Sequence, residues 1–402
     1  MGGSSTERTG RVLILASFLS AAGFTSVFSL LPLYMRDLAE PGPSAAFWAG
    51  IAMAATPLGG ALAAPVWGRL ADRFGYRPML LRALVSTSLI TILMALPNAP
   101  WQLVALRALA GALGSFQPMA MGALTSWSKP EDLSQAISRL QMAQVGGAIL
   151  GPLIGGVVAA LAAIRLVPVA GGLSIALGVI LVAQWFHEPK IRRAQLRGAG
   201  VPLRPWVLWL PMATLVAVQF TDASFNPILP LLLAQGGGDV ATVAALTGLA
   251  ASFNATAAAV ASGVAGRGFQ QGVKSRTMVL VALLLGCLAV AAVAAPAPWG
   301  VVGIRIICGG IAAALSVAAF CAGGLRVLPG QRGSAYGWLS SSSQIGYASS
   351  PMVTGALAAI DLRAVLVVDA LLCLVVAAGW GAVRPATAPT GADRAAEAEE
   401  GA

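Results

Sequence analysis

Apolar runs of about twenty residues recur along the whole chain, and a helix needs roughly 20 mostly apolar residues to cross about 30 Å of hydrocarbon. Twelve such windows fall near 12–34, 46–68, 79–96, 101–127, 139–162, 165–186, 206–233, 240–265, 277–295, 299–325, 335–359 and 363–383. Only 10% of the 402 residues are charged, against roughly a quarter in a soluble protein, and 57% are apolar. This hydrophobicity excludes disorder, and four cysteines are too few for a disulfide scaffold. The chain therefore reads as an all-α polytopic membrane protein with twelve transmembrane helices. The first window is too long for a cleavable signal peptide and runs into Pro32 and Tyr34 without a small-residue cleavage site.

Twelve spans put both termini on one face. Twenty basic residues fall on that face, including Arg69, Arg73, Arg77, Arg82 and Lys129, against Arg36, Arg165 and Arg363 on the other. The asymmetry predicts that both termini are cytoplasmic. The net charge of +10 is thus an orientation signal, with no nucleic-acid partner implied. The longest polar interruption, 187–204, divides the chain. A shift of 198 superposes Leu31-Pro32-Leu33 on Leu229-Pro230-Leu231, Arg107 on Arg305 and Gly111 on Gly309. Two pseudo-symmetric six-helix bundles follow, 11–186 and 205–384, with an N-terminal tail 1–10, the linker 187–204 and a disordered cytoplasmic tail 385–402. Parallel repeats of this kind are a transporter design, with substrate bound between the halves near mid-membrane.

Three motifs narrow the class. Gly68-Arg69-Leu70-Ala71-Asp72-Arg73-Phe74-Gly75-Tyr76-Arg77-Pro78 joins the second and third spans, with glycines for close helix approach and charges that can pair across helix ends. Arg107 opens an R-x-x-x-G-x-x-G run, Arg107-Ala108-Leu109-Ala110-Gly111-Ala112-Leu113-Gly114, inside the fourth span. The fifth span carries Gly147, Gly151, Pro152, Gly155 and Gly156 as G-x-x-x-G-P-x-x-G-G. Together these resemble the major facilitator superfamily, and in particular its 12-span drug:proton antiporters. The resemblance implies a major facilitator fold, a cytoplasmic gate at Gly68, Asp72, Arg73, Gly75 and Arg77, and a proton-transfer role for Arg107. It also implies an exporter motif in the fifth span. The equivalent second-half loop, 265–276, keeps Gly272 and Lys274 but has Phe269 where an acid is expected.

A proton-coupled carrier needs a group that is neutral in one state and charged in another. Two acids lie well within spans, Asp222 and Asp369. Asp222, near mid-depth among Gln219, Thr221, Ser224 and Asn226, is the preferred proton-coupling site, against a structural acid paired with an interior arginine. Asp369, on the last span, is expected to be structural or to snorkel. Snorkelling is also the alternative for Arg107 and Arg305. The first span has no acid in Gly23-Phe24-Thr25-Ser26-Val27-Phe28, which weakens any preference for cationic drugs borrowed from relatives. Candidate substrate contacts are Phe24, Phe28, Gln117, Gln219, Phe225, Asn226, Asn254 and Gln344, with Gln144, Phe253, Phe320 and Tyr347 as further possibilities.

The lone His187 leaves no histidine-based triad or metal site, and no phosphate-cradling G-x-x-x-x-G-K-S/T run occurs. The expectation is a secondary active transporter, not an enzyme. It needs no cofactor beyond the proton gradient and exports amphipathic small molecules or drugs by alternating access. Its partners would be the lipid bilayer, protons and a small-molecule substrate, and it would act as a monomer in the inner or plasma membrane. The alternatives are transport of a specific metabolite, such as a sugar or amino-acid derivative, and a non-transporting receptor on the same fold.

Overall fold

The computed structural model describes residues 2–38, 43–126, 132–187, 203–235, 240–269, 275–294, 298–327, 331–358 and 362–382. The described residues form α1 (Gly2–Leu38), α2 (Pro43–Phe74), α3 (Tyr76–Leu93), α4 (Pro100–Gly114), α5 (Phe116–Ser126), α6 (Leu133–Leu161) and α7 (Val167–Trp185). The second half holds α8 (Trp209–Gln235), α9 (Val240–Gly268), α10 (Ser275–Ala294), α11 (Pro298–Leu325), α12 (Arg332–Ala358) and α13 (Leu362–Ala382). With α4 and α5 taken as one interrupted span, these are the twelve windows. Most of the linker and all of the C-terminal tail, Gly272 and Lys274 among other positions, lie outside the described residues. α1 begins at Gly2, so the segment read as an N-terminal tail continues the first helix.

Among the described residues, eight helical stretches are long and apolar enough by themselves to cross a membrane. α3 and α12 are more polar for local reasons. α3 has 18 residues and carries Arg77 and Arg82, and α12 carries the run Ser340-Ser341-Ser342-Ser343. Such polar residues are tolerated where neighbouring helices cover them.

Packing repeats between the halves. α1 packs on α6, α2 on α4 and α3 on α7, while α8 packs on α12, α9 on α11 and α10 on α13. The halves meet along two seams, α2 with α12 and α6 with α9, which exchange under the same pseudo-symmetry. Close approach depends on bare backbone. A Cβ at Gly111 would overlap the Thr56 carbonyl and the Gly60 nitrogen, so α4 can lie against α2 only with glycine there.

The fourth span breaks where the sequence predicts continuity. Ser115 adopts φ 44°, the left-handed region, and ends α4 before Phe116 starts α5. The carbonyls freed by the break find donors: Trp67 Nε1–H bonds Ala112 O at 2.7 Å, and Arg82 Nη1–H bonds Leu113 O at 2.7 Å. Arg82 lies flat on Trp67, its guanidinium carbon 3.4 Å from the ring centroid. A residue placed by sequence on the basic face is thus folded inward as a helix cap.

Candidate functional site

A cavity of about 470 Å³ lies between the halves, walled by α1, α2 and the α4–α5 break on one side and by α8 and α12 on the other. Of the eight expected contacts, Phe24, Phe28, Gln117, Gln219 and Gln344 line it, and so do Gln144 and Tyr347. Phe225 does not, because it is fully buried beneath Arg305, whose guanidinium carbon sits 5.2 Å from the ring centroid. Asn254 does not either, since its side chain packs against Gly309, as Thr56 backs Gly111 in the other repeat. The Asn226 side chain lies outside the described residues. Ser115 is a lining residue that sequence reading missed. Its signal was Gly114-Ser115 followed by Pro118, which is tolerated in the first turn of a new helix.

Arg107 lines the cavity at 1% exposure, which overturns the snorkelling alternative. Its Nε–H bonds Ala52 O at 2.8 Å, and Phe24 and Phe28 flank the guanidinium at 5.4 and 5.5 Å. Nη2 is buried without a partner. No acid lines the cavity among the described residues, so its one full charge is positive.

Arg305, 4% exposed, also does not snorkel, and its Nη1 pairs with Asp222 Oδ1 at 2.7 Å. The repeat makes the contrast chemical. A shift of 198 places Asp222 on Phe24, so one arginine faces an aromatic ring and its counterpart a carboxylate. Asp222 keeps 34% side-chain exposure and lies within electrostatic reach of Tyr347, which also feels Arg107. Asp369 is 0% exposed and bonded to the Ser224 hydroxyl at 2.6 Å, which corrects the snorkelling reading and ties α13 to the helix bearing Asp222.

At the end of the molecule that carries the 68–78 loop, the halves are locked together. Asp72 accepts the Gly333 N–H at 2.8 Å, the Ser334 N–H at 2.7 Å and the Ser334 hydroxyl at 2.6 Å, with the Tyr76 hydroxyl at 3.2 Å. Two of these donors are first-turn amides of α12 that have no acceptor within the helix, where a carboxylate also meets the positive end of the helix dipole. Arg332, buried beside them, donates to the Thr125 carbonyl. Gly68 packs on Gly333, and the Ser341 hydroxyl bonds Ala61 O at 2.5 Å further along the seam. On the second seam the Ser134 hydroxyl bonds Gly266 O at 2.8 Å, and the Ser138 hydroxyl bonds Ser262 O at 2.5 Å. Arg73 lies over Phe74 and Arg77 donates to Ala183 O, both inside the first half. Gly75, at φ 91°, makes the turn.

The fifth-span motif divides by face. Cβ atoms at Gly147, Gly151 and Gly155 would each collide with α1 backbone, so these three form a tight seam within the first half. Pro152 and Gly156 are exposed, and nothing lies near Gly156.

Two helix bundles around a cavity that is sealed at one end define a multi-pass membrane carrier. The chain belongs to the Major Facilitator Superfamily, whose sequence profile matches residues 13–233 and 212–401. It is 30% identical over 378 residues to multidrug resistance protein MdtG of Enterobacter lignolyticus (strain SCF1), covering 92% of this chain and 90% of that protein. It is 34% identical over 258 residues to MdtG of Yersinia enterocolitica, covering 62% of each. The fold matches the human organic anion transporter MFSD10 (TETRAN) with TM-score 0.79 at 18% identity, over 93% of this chain and 99% of that one. It also matches the proton:xylose symporter XylE with TM-score 0.72 at 14% identity, over 96% and 97% of the two chains.

Proposed function

We propose that this protein is a proton-driven exporter of amphipathic small molecules, working as a monomer in the inner or plasma membrane with both termini in the cytoplasm. The observation that carries the reading is a cavity between the halves, closed along both seams at one end, with a carboxylate–arginine pair, Asp222 and Arg305, behind the helix that brings Gln219 to the cavity. The basic-residue asymmetry makes the sealed end cytoplasmic, so the cavity faces outward. Segments 11–186 and 205–384 then rock as two bodies. The names of the MdtG relatives support export of drugs over uptake of one metabolite.

A proton on Asp222 cancels the charge that holds Arg305, which couples protonation to α8, the helix whose Gln219 lines the cavity. Moving one charge through 100 mV is worth about 2.3 kcal/mol, enough to sustain export of a neutral solute. The unpaired Arg107 favours neutral and anionic amphipaths over cations. Proteoliposomes given a pH gradient and 1-naphthaleneethanol as a neutral probe test the reading. Wild type should concentrate the probe against its gradient, and Asp222→Asn should lose that accumulation while keeping downhill exchange. Undiminished gradient-driven transport by the variant would remove Asp222 from the coupling path.

A further inference from the structure

Asp369 has no part in the mechanism so far, yet it is the most deeply buried acid in the described chain. It shares one cation with Asp222. Arg305 is within electrostatic reach of both, and its hydrogen bond goes to Asp222. The other titratable groups around Asp369 are Cys308 on α11 and Cys373 on its own helix. Two carboxylates against one arginine leave an uncompensated charge in a membrane span, which is costly unless one acid is neutral.

The serine geometry says which acid is neutral. Ser224 Oγ lies 2.6 Å from Asp369 Oδ2 and 2.8 Å from the carbonyl oxygen of Thr221. A hydroxyl has one proton to donate and lone pairs to accept with. The repeat shows where that proton goes when no acid is present. At the position equivalent by a shift of 198, the Ser26 hydroxyl donates to the Gly23 carbonyl at 2.8 Å, three residues back, as Ser224 does to Thr221. The residue equivalent to Asp369 is Gly171, where a Cβ would meet Ser26 Oγ at 2.7 Å. Ser224 therefore holds the conformation of a serine that donates to its own helix, and the 2.6 Å contact needs its proton from Asp369.

We propose that Asp369 is a second proton-carrying carboxyl of this transporter, neutral in the state seen here and ionised when Arg305 turns to it from Asp222. The proton leaves Asp369 Oδ2 for the Asp222 carboxylate. Arg305 moves to the new Asp369 carboxylate, and the Ser224 hydroxyl rotates to donate into it. Asp222, partly exposed, then holds the proton as the neutral acid, and it loses that proton to water as hydronium only as Arg305 returns and Asp369 takes a proton up again, so one of the two acids is neutral at each stage. This step rests on the proton-coupled reading above.

The test uses the full chain. Infrared spectra of the wild type in lipid at neutral pH should contain a carboxylic-acid carbonyl band that is absent in Asp369→Asn and retained in Asp222→Asn. Ser224→Ala should shift the band. In proteoliposomes, Asp369→Asn should keep downhill exchange of 1-naphthaleneethanol and a wild-type unfolding temperature. Its probe accumulation should fall by about 50-fold, the ratio that one proton sustains at 100 mV. A band unaffected by Asp369→Asn, or full accumulation by that variant in a coupled wild type, overturns the assignment of Asp369 alone. A wild type that never couples flux to protons overturns the transport reading, whatever the infrared band does.

Discussion

Arg107 and Arg305 occupy equivalent places in the two halves, and their surroundings assign them different work. Arg305 is neutralised by Asp222, whereas Arg107 is held by one carbonyl and two aromatic faces, with Nη2 unsatisfied. A ligand acceptor that reaches Nη2 would make a charge-assisted bond, worth about 1.5–3 kcal/mol. Arg107→Gln should therefore weaken binding of 1-naphthaleneacetate by roughly 10- to 150-fold. It should leave 1-naphthaleneethanol little changed and erase discrimination against 1-naphthylmethylammonium. Tryptophan fluorescence titration in detergent reads all three, and a wild type that prefers the ammonium probe would refute the charge argument. The equivalence of the two arginines was legible from the repeat, and so was the prospect that Asp222 meets an interior arginine. Which of the two arginines it meets was not, because a shift in sequence says which residues are equivalent and not which of them touch. Of the two readings of Asp369, structural or snorkelling, the sequence could not choose for a related reason: depth along a span can be counted, but the side of the helix that faces the bundle cannot when the helix is apolar all round.

The interrupted fourth span depends on a local conformation that its sequence resists. A non-glycine residue in the left-handed region costs about 1–2 kcal/mol, and Ser115 holds φ 44° because Trp67, Arg82 and Ser86 satisfy the carbonyls released at the end of α4. Ser115→Gly should raise thermal stability by up to about 1 kcal/mol, since glycine takes this conformation freely. Arg82→Ala should lower stability by about 2 kcal/mol through loss of the Leu113 cap and of the stack on Trp67. Thermal unfolding in detergent measures both. A destabilised Ser115→Gly would mean that the hydroxyl, and not the backbone, holds the break. The glycine pattern of the fifth span was legible as close packing. Its direction was not, since Gly147, Gly151 and Gly155 face α1 while Pro152 and Gly156 face away from the bundle.

The two halves are joined at one end by a short set of polar contacts laid over glycine backbone, a design that can close tightly and still come apart. Most of the bonds across the seams come from one carboxylate, Asp72, and four serines, so opening exposes groups that water can satisfy. Asp72→Asn keeps the shape of the side chain but removes its charge from the start of α12. A loss of about 1–2 kcal/mol shifts the balance between closed and open forms by roughly 5- to 30-fold. Gly337→Val goes further, because a Cβ there would strike the Ala64 carbonyl and Pro65 on α2 and keep the seam from closing at all. Both variants should stay folded, since neither position carries the packing within a bundle. A cysteine placed at Gln344, with the four native cysteines replaced, reports on the cavity from either side. In the parent, a membrane-impermeant maleimide should label it from outside the cell. In Gly337→Val the labelling should move to the cytoplasmic face of inverted vesicles, and in Asp72→Asn it should divide between the two. Labelling that stays on the outer face in Gly337→Val would show that the α2–α12 seam does not seal the cavity, and the closure would then have to reside in α6 and α9.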